Sequence, residues 1–252
     1  MNQHEVKKFF DRLAPNWDKE QIRSDAVIGQ ILDIAGIKKG ADVLDIGCGT
    51  GVLIGDYLAR SVASVTGVDL SPEMLKIAQE KFPCANVQFI CGDAQSYPFD
   101  RLYDNIMIYN AFPHFPDPQA LIAQLSKFLK PGGTLTVAHG MSRADIDRHH
   151  AGAAQHVSVG LMHEDSLAAI FSQHLTVTAK ISTDTMYQVT GQLPIDNGER
   201  WERCLWQMKR PERVAAVCVQ RRRSVVKAHT GHRNRIMGSD GSAGFPRPKA
   251  SP

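Results

Sequence analysis

The chain has 252 residues, 43% of them hydrophobic and 22% charged, with a net charge of +3, an ordinary composition that names no partner by itself. No apolar run approaches the roughly 18 to 20 residues of a membrane span, and five cysteines without a C-x-x-C pair argue against a disulfide framework or a zinc site. The charge is uneven: residues 1–191 hold 16 Lys and Arg against 21 Asp and Glu, and residues 192–252 hold 13 against 5. An acidic body of domain size, residues 1–191, is therefore expected to carry a basic tail. The N-terminus MNQHEVKKFF has no apolar stretch of a secretory leader, and a reducing, cytoplasmic location is expected.

In chain order, Val6, Phe9, Phe10 and Leu13 lie at helical spacing, and Pro15 closes that segment before Asn16, Trp17 and Asp18. Val27, Ile28, Ile31, Leu32 and Ile34 predict a second helix, with Gly36 as its C-cap. Residues 41–51, ADVLDIGCGTG, read as a buried strand carrying one acid, Asp45, that runs into a glycine turn at Gly47, Gly49 and Gly51. Thr50 stands where an N-cap belongs, ahead of Val52, Leu53, Ile54, Tyr57 and Leu58. Strand, glycine turn and helix start form a corner that holds nucleotides against bare backbone. A dinucleotide fingerprint would need its third glycine at position 52, where Val52 stands, so a pyrophosphate is not the expected ligand.

SVTGVDL predicts a second strand ending in Asp69, an acid placed to accept ribose hydroxyls, and Ser71 and Pro72 start the helix that follows. NVQFICGD gives a third strand, again followed by an acid, Asp93. Acids recurring at Asp45, Asp69 and Asp93 are what a parallel α/β sheet with one ligand edge requires. A fourth strand runs into NAFPHFPD, residues 110–117. Then come an amphipathic helix over 118–130, the turn LKPGG and a fifth strand ending at His139. Five histidines fall in residues 139–163, but no H-E-x-x-H or similar ligand pattern accompanies them, and no metal is expected. LTVTAKISTDTMYQVTGQ supplies two further strands. Residues 192–252, with a short helix at Glu199 to Gln207 and then Arg, Gly, Ser and Pro without hydrophobic period, are expected to be disordered.

These motifs, in this order over residues 5–191, resemble the class I S-adenosylmethionine (SAM)-dependent methyltransferases. FFDRLAPNWD and DLSPEML resemble those similar to the ubiquinone and menaquinone biosynthesis enzymes. The resemblance implies a Rossmann-like, seven-stranded, mostly parallel sheet with an antiparallel last strand and helices on both faces. It implies SAM as cofactor, held by Asp45, Gly47, Cys48, Gly49, Gly51, Asp69, Leu70, Met74, Asp93, Ala94, Asn110 and Trp17. Residues 1–36 would cover the site as a lid, with Phe10 and Trp17 reaching it, and residues 141–163 would form an inserted cap. His114 and His139 are the candidate general bases, since an imidazole titrates near neutrality.

The expected reaction is methyl transfer to a small-molecule acceptor, by a monomer or homodimer, with S-adenosylhomocysteine (SAH) released. Asn110-Ala111-Phe112-Pro113 departs from the Asn/Asp-Pro-Pro-aromatic run of DNA and some RNA or protein amino-methylating enzymes, which counts against nucleobase N-methylation, and nucleic acid is not the expected partner. Three other readings stand beside this one. They are an RNA-directed methyltransferase using the basic tail, a SAM-binding protein without turnover, and a nicotinamide oxidoreductase.

Overall fold

The computed structural model describes residues 2–150 and 155–195; the short helix expected at Glu199 to Gln207 and the tail from residue 196 lie outside the described residues. Helices α1 (Gln3–Leu13), α2 (Trp17–Glu20) and α3 (Asp25–Ile34) lead into strand β1 (Asp42–Ile46). They are followed by α4 (Ile54–Ala59), β2 (Ser64–Asp69), α5 (Pro72–Lys81), β3 (Val87–Cys91), β4 (Tyr103–Tyr109), α6 (Pro118–Leu125) and β5 (Leu129–His139). Helices α7 (Arg143–His150) and α8 (Glu164–Phe171) precede β6 (Thr176–Ser182) and β7 (Tyr187–Gln192).

The strands form one sheet in the order β3-β2-β1-β4-β5-β7-β6. Neighbours from β3 to β5 are parallel, whereas β7 runs antiparallel to both β5 and β6. The last strand is thus the antiparallel one, and β6 returns to the common direction. In parallel register, alternate residues share a face. Val43, Val65, Met107 and Ala138 pack on Ile28, Ile31 and Leu32 of α3 and on Leu53, Ile54 and Tyr57 at the start of α4. Residues of the other parity, Leu44, Ile46, Val68, Ile106, Ile108 and Val137, are as fully buried on the opposite face.

Polar side chains within the sheet dock α3 end-on. Carbonyls of a helix's last turn have room for further donors, and three strands supply them, although Ile31 O also accepts the Ala35 N–H. Thr134 Oγ1 donates to the Ala35 carbonyl at 2.7 Å and Asn105 Nδ2 to the same oxygen at 3.1 Å, while Gln188 Nε2 reaches Ile31 O at 3.2 Å. The helix before β1 is held to β4, β5 and β7, and its position fixes where β1 enters.

Two local expectations are corrected. The helix after the glycine turn starts at Ile54, with Leu53 as an N-cap that makes no side-chain bond. Thr50 does not cap it, because its hydroxyl is turned to Asp18. The run Leu129–Gly133, read as a turn before the fifth strand, is already part of β5, which pairs with Tyr103 through Leu129 before a register shift.

At the amino ends of the strands, Asp42 collects Lys130 Nζ at 2.8 Å, Arg101 Nη2 at 2.5 Å and Ser64 Oγ at 2.6 Å. Burial alone would raise this carboxyl, but the bonds from Lys130, Ser64 and Arg101 outweigh it and hold the group at about 2. A depressed carboxylate stabilises the fold above its unfolded pKa near 3.9 and loses that contribution as pH falls through about 2. Asp42→Asn is therefore expected to cost about 2 kcal/mol at pH 7, with a deficit in urea-unfolding free energy that narrows steadily between pH 4 and pH 2.

Candidate cofactor site

At the carboxyl ends of β1, β2 and β4 the chain leaves a cleft of about 830 Å³, open mouth included. β1 lies between β2 and β4, and the strand order reverses there: β2 and β3 follow on one side of it, β4 and β5 on the other. Such a switch point is where α/β sheets bind ligands. The turn after β1 requires glycine for two different reasons. Gly47 has φ +67°, and a Cβ there would come within 2.6 Å of the Ala111 Cβ in the loop after β4. Gly51, at φ +82°, would meet the Phe82 ring at 2.9 Å. Gly47 and Gly49 line the cleft; Gly51 is outside its lining and serves helix packing instead.

Asp45, Cys48, Asp69, Leu70, Met74, Ala94, Asn110 and Trp17 all line the same cleft, with His114. Asp69 accepts the Gly49 N–H at 2.9 Å and the Ser71 N–H at 2.8 Å. Its carboxyl thereby ties the glycine turn to the start of α5. Burial raises Asp69, and the N–H groups of Ser71, Gly49 and Leu70 oppose the rise. Asp45 is only 2% exposed. Burial first, and then the charge of Asp69, push its carboxyl up to about 8, against the Tyr57 hydroxyl. Burial likewise pushes the Cys48 thiol up, which marks it as a wall rather than a nucleophile.

The structure does not bring two other expected residues to the cleft. Asp93 turns its carboxylate back on its own loop, accepting from Gln95 N at 3.0 Å and Ser96 Oγ at 3.0 Å, so that Ala94 alone of this pair lines the site. His139, at the end of β5, is buried with its ring edge-on to Tyr187, 6.0 Å away, and is absent from the lining. The adjacent Gly140 N–H, however, bonds Asn110 Oδ1 at 3.1 Å, which holds Asn110 at φ +52°, a strained backbone of the kind that collects at ligand sites. Among the described residues, no three His, Cys, Asp or Glu side chains come together as a metal would need.

The roof comes from the chain's beginning. Val6, Phe10, Trp17 and Gln21 line the cleft from α1, α2 and the loop beyond. Val6 and Phe9 bury against Val157, and Phe10 sets its ring edge-on to Trp17 and to His114. Two carboxylates fasten this roof to hydroxyls of the ligand loops. Ser71 Oγ donates to Asp11 at 2.6 Å, and Thr50 Oγ1 donates to Asp18 at 2.5 Å, while Lys81 holds the second Asp18 oxygen at 2.7 Å. His114 bonds the Val157 carbonyl through Nδ1 at 2.7 Å. A carbonyl only accepts, so Nδ1 carries the hydrogen and, in the neutral ring, Nε2 carries the lone pair.

Sequence reasoning missed Gln21, Val52, Tyr109 and Phe115. Tyr109 could have been found as the last residue of β4, but Gln21 and Phe115 sit in irregular loops where no periodicity singles them out.

The floor of this cleft suits a cation with a ribose: bare glycine backbone, one buried and one half-buried acid, and, among the described residues, no Lys or Arg in the lining. Comparisons with known proteins agree. Residues 43–133 match the family model described as a methyltransferase domain. A demethylmenaquinone methyltransferase of Listeria welshimeri is 30% identical over 149 residues, 53% of this chain and 61% of the relative. A malonyl-[acyl-carrier protein] O-methyltransferase of Acetivibrio thermocellus is 32% identical over 133 residues, 52% of this chain and 47% of the relative. The chain thus spans about six tenths, or less, of these relatives. Among solved structures, the N-methyltransferase NodS of Bradyrhizobium japonicum in complex with SAH aligns over 77% of this chain and 100% of its own, with TM-score 0.60 at 15% identity. That likeness shows the shared fold. The family model over residues 43–133 and the relatives support a class I SAM-dependent methyltransferase domain in this chain.

Proposed function

We propose that this protein transfers a methyl group from SAM to a small-molecule acceptor and releases SAH. One observation carries the reading: Asp45, Gly47, Gly49, Asp69, Leu70, Met74 and Ala94, spread over 50 residues of sequence, line one cleft. SAM, when bound, supplies a methyl group already activated by the positive sulfonium and ready for in-line displacement by a nucleophile. The Asp69 carboxylate would accept ribose hydroxyls, Met74 and Leu70 would pack on the adenine, and the Ala94 N–H would meet the ring. The Gly47 to Gly49 backbone and Asp45 would hold the amino-acid part.

The rest of the work is positioning and exclusion of water. Phe10 and Trp17 would close over the reacting groups as a lid, held by Asp11 and Asp18. His114 would take the proton from an acceptor O–H or N–H at Nε2, while its Nδ1–H, donated to Val157 O, keeps the ring in that tautomer. We assign a cytoplasmic setting. Free thiols at Cys48, Cys84 and Cys91 suit a reducing compartment, and among the described residues no helix is long and apolar enough to cross a membrane.

Calorimetric titration with SAM, SAH and NAD tests the cofactor. SAM and SAH are expected to bind and NAD to give no heat, and Asp69→Ala is expected to weaken SAM by about 100-fold, the value of two hydrogen bonds to a charged acceptor. NAD binding in place of SAM would overturn the reading. The acceptor is sought with methyl-labelled SAM and a panel of small phenols, amines, thiols and carboxylic acids. With an O–H or N–H acceptor from that panel, His114→Gln is expected to lower kcat by about 100-fold or more and leave the SAM Kd within about twofold. An unchanged kcat would remove His114 from the proton transfer.

A further inference from the structure

The two acids of the cleft floor do not have equivalent surroundings. Asp45 pairs with Gly67 in the parallel register, and Asp69 lies two residues beyond Gly67 on the same strand. Both carboxyls therefore leave the same face of the sheet. The position between them has no side chain, and a Cβ on Gly67 would strike Cys48 Sγ at 2.9 Å. Asp69 is met by two main-chain N–H groups that favour its ionised form. Among the described residues no main-chain N–H is directed at Asp45. The groups around it are Asp69 on β2, the Cys48 thiol in the turn and the Tyr57 hydroxyl of α4, with Asp11 adding negative charge near Asp69.

Among the described residues no Lys or Arg lines the cleft. The guanidinium of Arg23, whose charge is felt at Tyr109, is committed to Asp25 and Asp56. Among the described residues His114 is the one imidazole of the lining, and its protonation would add positive charge to the cleft. A buried and a half-buried carboxylate so placed, with no cation of the described residues between them, resist ionising together. The proton belongs on the member without N–H donors.

We propose that the SAM-free protein holds a proton on Asp45 and that binding of SAM expels it, so that cofactor capture is coupled to release of one proton to solvent. The proposal rests on the SAM reading of the cleft. SAM carries a sulfonium and an ammonium against its own single carboxylate, and these cations, brought to Asp45, favour its ionised form; SAH lacks the sulfonium and brings less of that driving force. Binding then selects the ionised fraction of the free protein. With Asp45 at about 8, SAM affinity should rise nearly tenfold per pH unit from pH 6 to pH 7.5 and level off above pH 8.

The test is calorimetry of the full chain with SAM in phosphate, imidazole and Tris buffers at pH 6.5 and 7.0, where the slope of heat against buffer ionisation enthalpy counts protons. At these pH values SAM binding as its ammonium can only take a proton up, so any release comes from the protein. About 0.9 proton per SAM is expected to be released at pH 7.0. Asp45→Asn should lose that release and give a SAM Kd nearly flat with pH. His114→Gln should still show the release, which separates the floor from the imidazole. SAM binding by the wild-type protein with no proton release, or with equal release by wild type and Asp45→Asn, would overturn the proposal and leave the cofactor reading standing. Absence of any SAM binding by the wild-type protein would overturn both. If Asp45→Asn fails to fold, the wild-type proton count and the His114→Gln comparison still decide the matter.

Discussion

The site depends on how closely two loops approach each other at the middle of the sheet. β1 is flanked by β2 and β4, and the chain leaving it at Gly47 passes so near Ala111, after β4, that a single added carbon would collide at 2.6 Å. That approach requires a residue without a side chain and with positive φ. Once it is met, the turn is pressed between its neighbours, and Asp69 can draw the Gly49 N–H toward β2. The cleft, its glycine floor and its pair of acids follow from this one contact. The polar docking of α3 by Thr134, Asn105 and Gln188 supports it from behind, since that helix sets the entry of β1.

A second principle governs the roof. Hydroxyl groups of the ligand loops, Thr50 and Ser71, do not act only on their own backbone. Each donates a hydrogen bond to a carboxylate of the N-terminal helices. Ser71 does both, capping α5 by accepting from Met74 N while donating to Asp11. The same residues that shape the floor therefore also report to the roof, and Lys7 and Lys81 balance the two acids that receive them.

Much of this was legible in the sequence because it follows from local rules. Apolar β-branched runs ending in acids gave β1, β2 and β3, and Pro at the first helical position with Ser71 before it gave the start of α5. What the sequence could not show were choices settled between distant segments. Thr50 has the chemistry of an N-cap, yet Asp18, 32 residues earlier, takes its hydroxyl. Asp93 has the chemistry of a ligand acid, yet Gln95 and Ser96 offer it nearer donors. His139 ends a strand as a catalytic residue would, but the antiparallel return of β7 sets Tyr187 against it. Gln21 and Phe115 reach the cleft from loops without periodicity, so only the fold reveals them.

The roof has a consequence for how such a protein diversifies. The stretch matched by the family model, residues 43–133, contains the turn, both acids and the loop with His114, whereas Val6, Phe10, Trp17 and Gln21 precede it and Val157, which anchors Val6 and Phe9, follows it. The ceiling is thus assembled from the two flanks of a shared middle and touches that middle through a handful of side chains. Drift in the flanks can reshape the ceiling while the floor stays under its own constraint. Two proteins with this same floor can therefore present different chambers above it, and likeness across the central stretch says little about what the chamber admits.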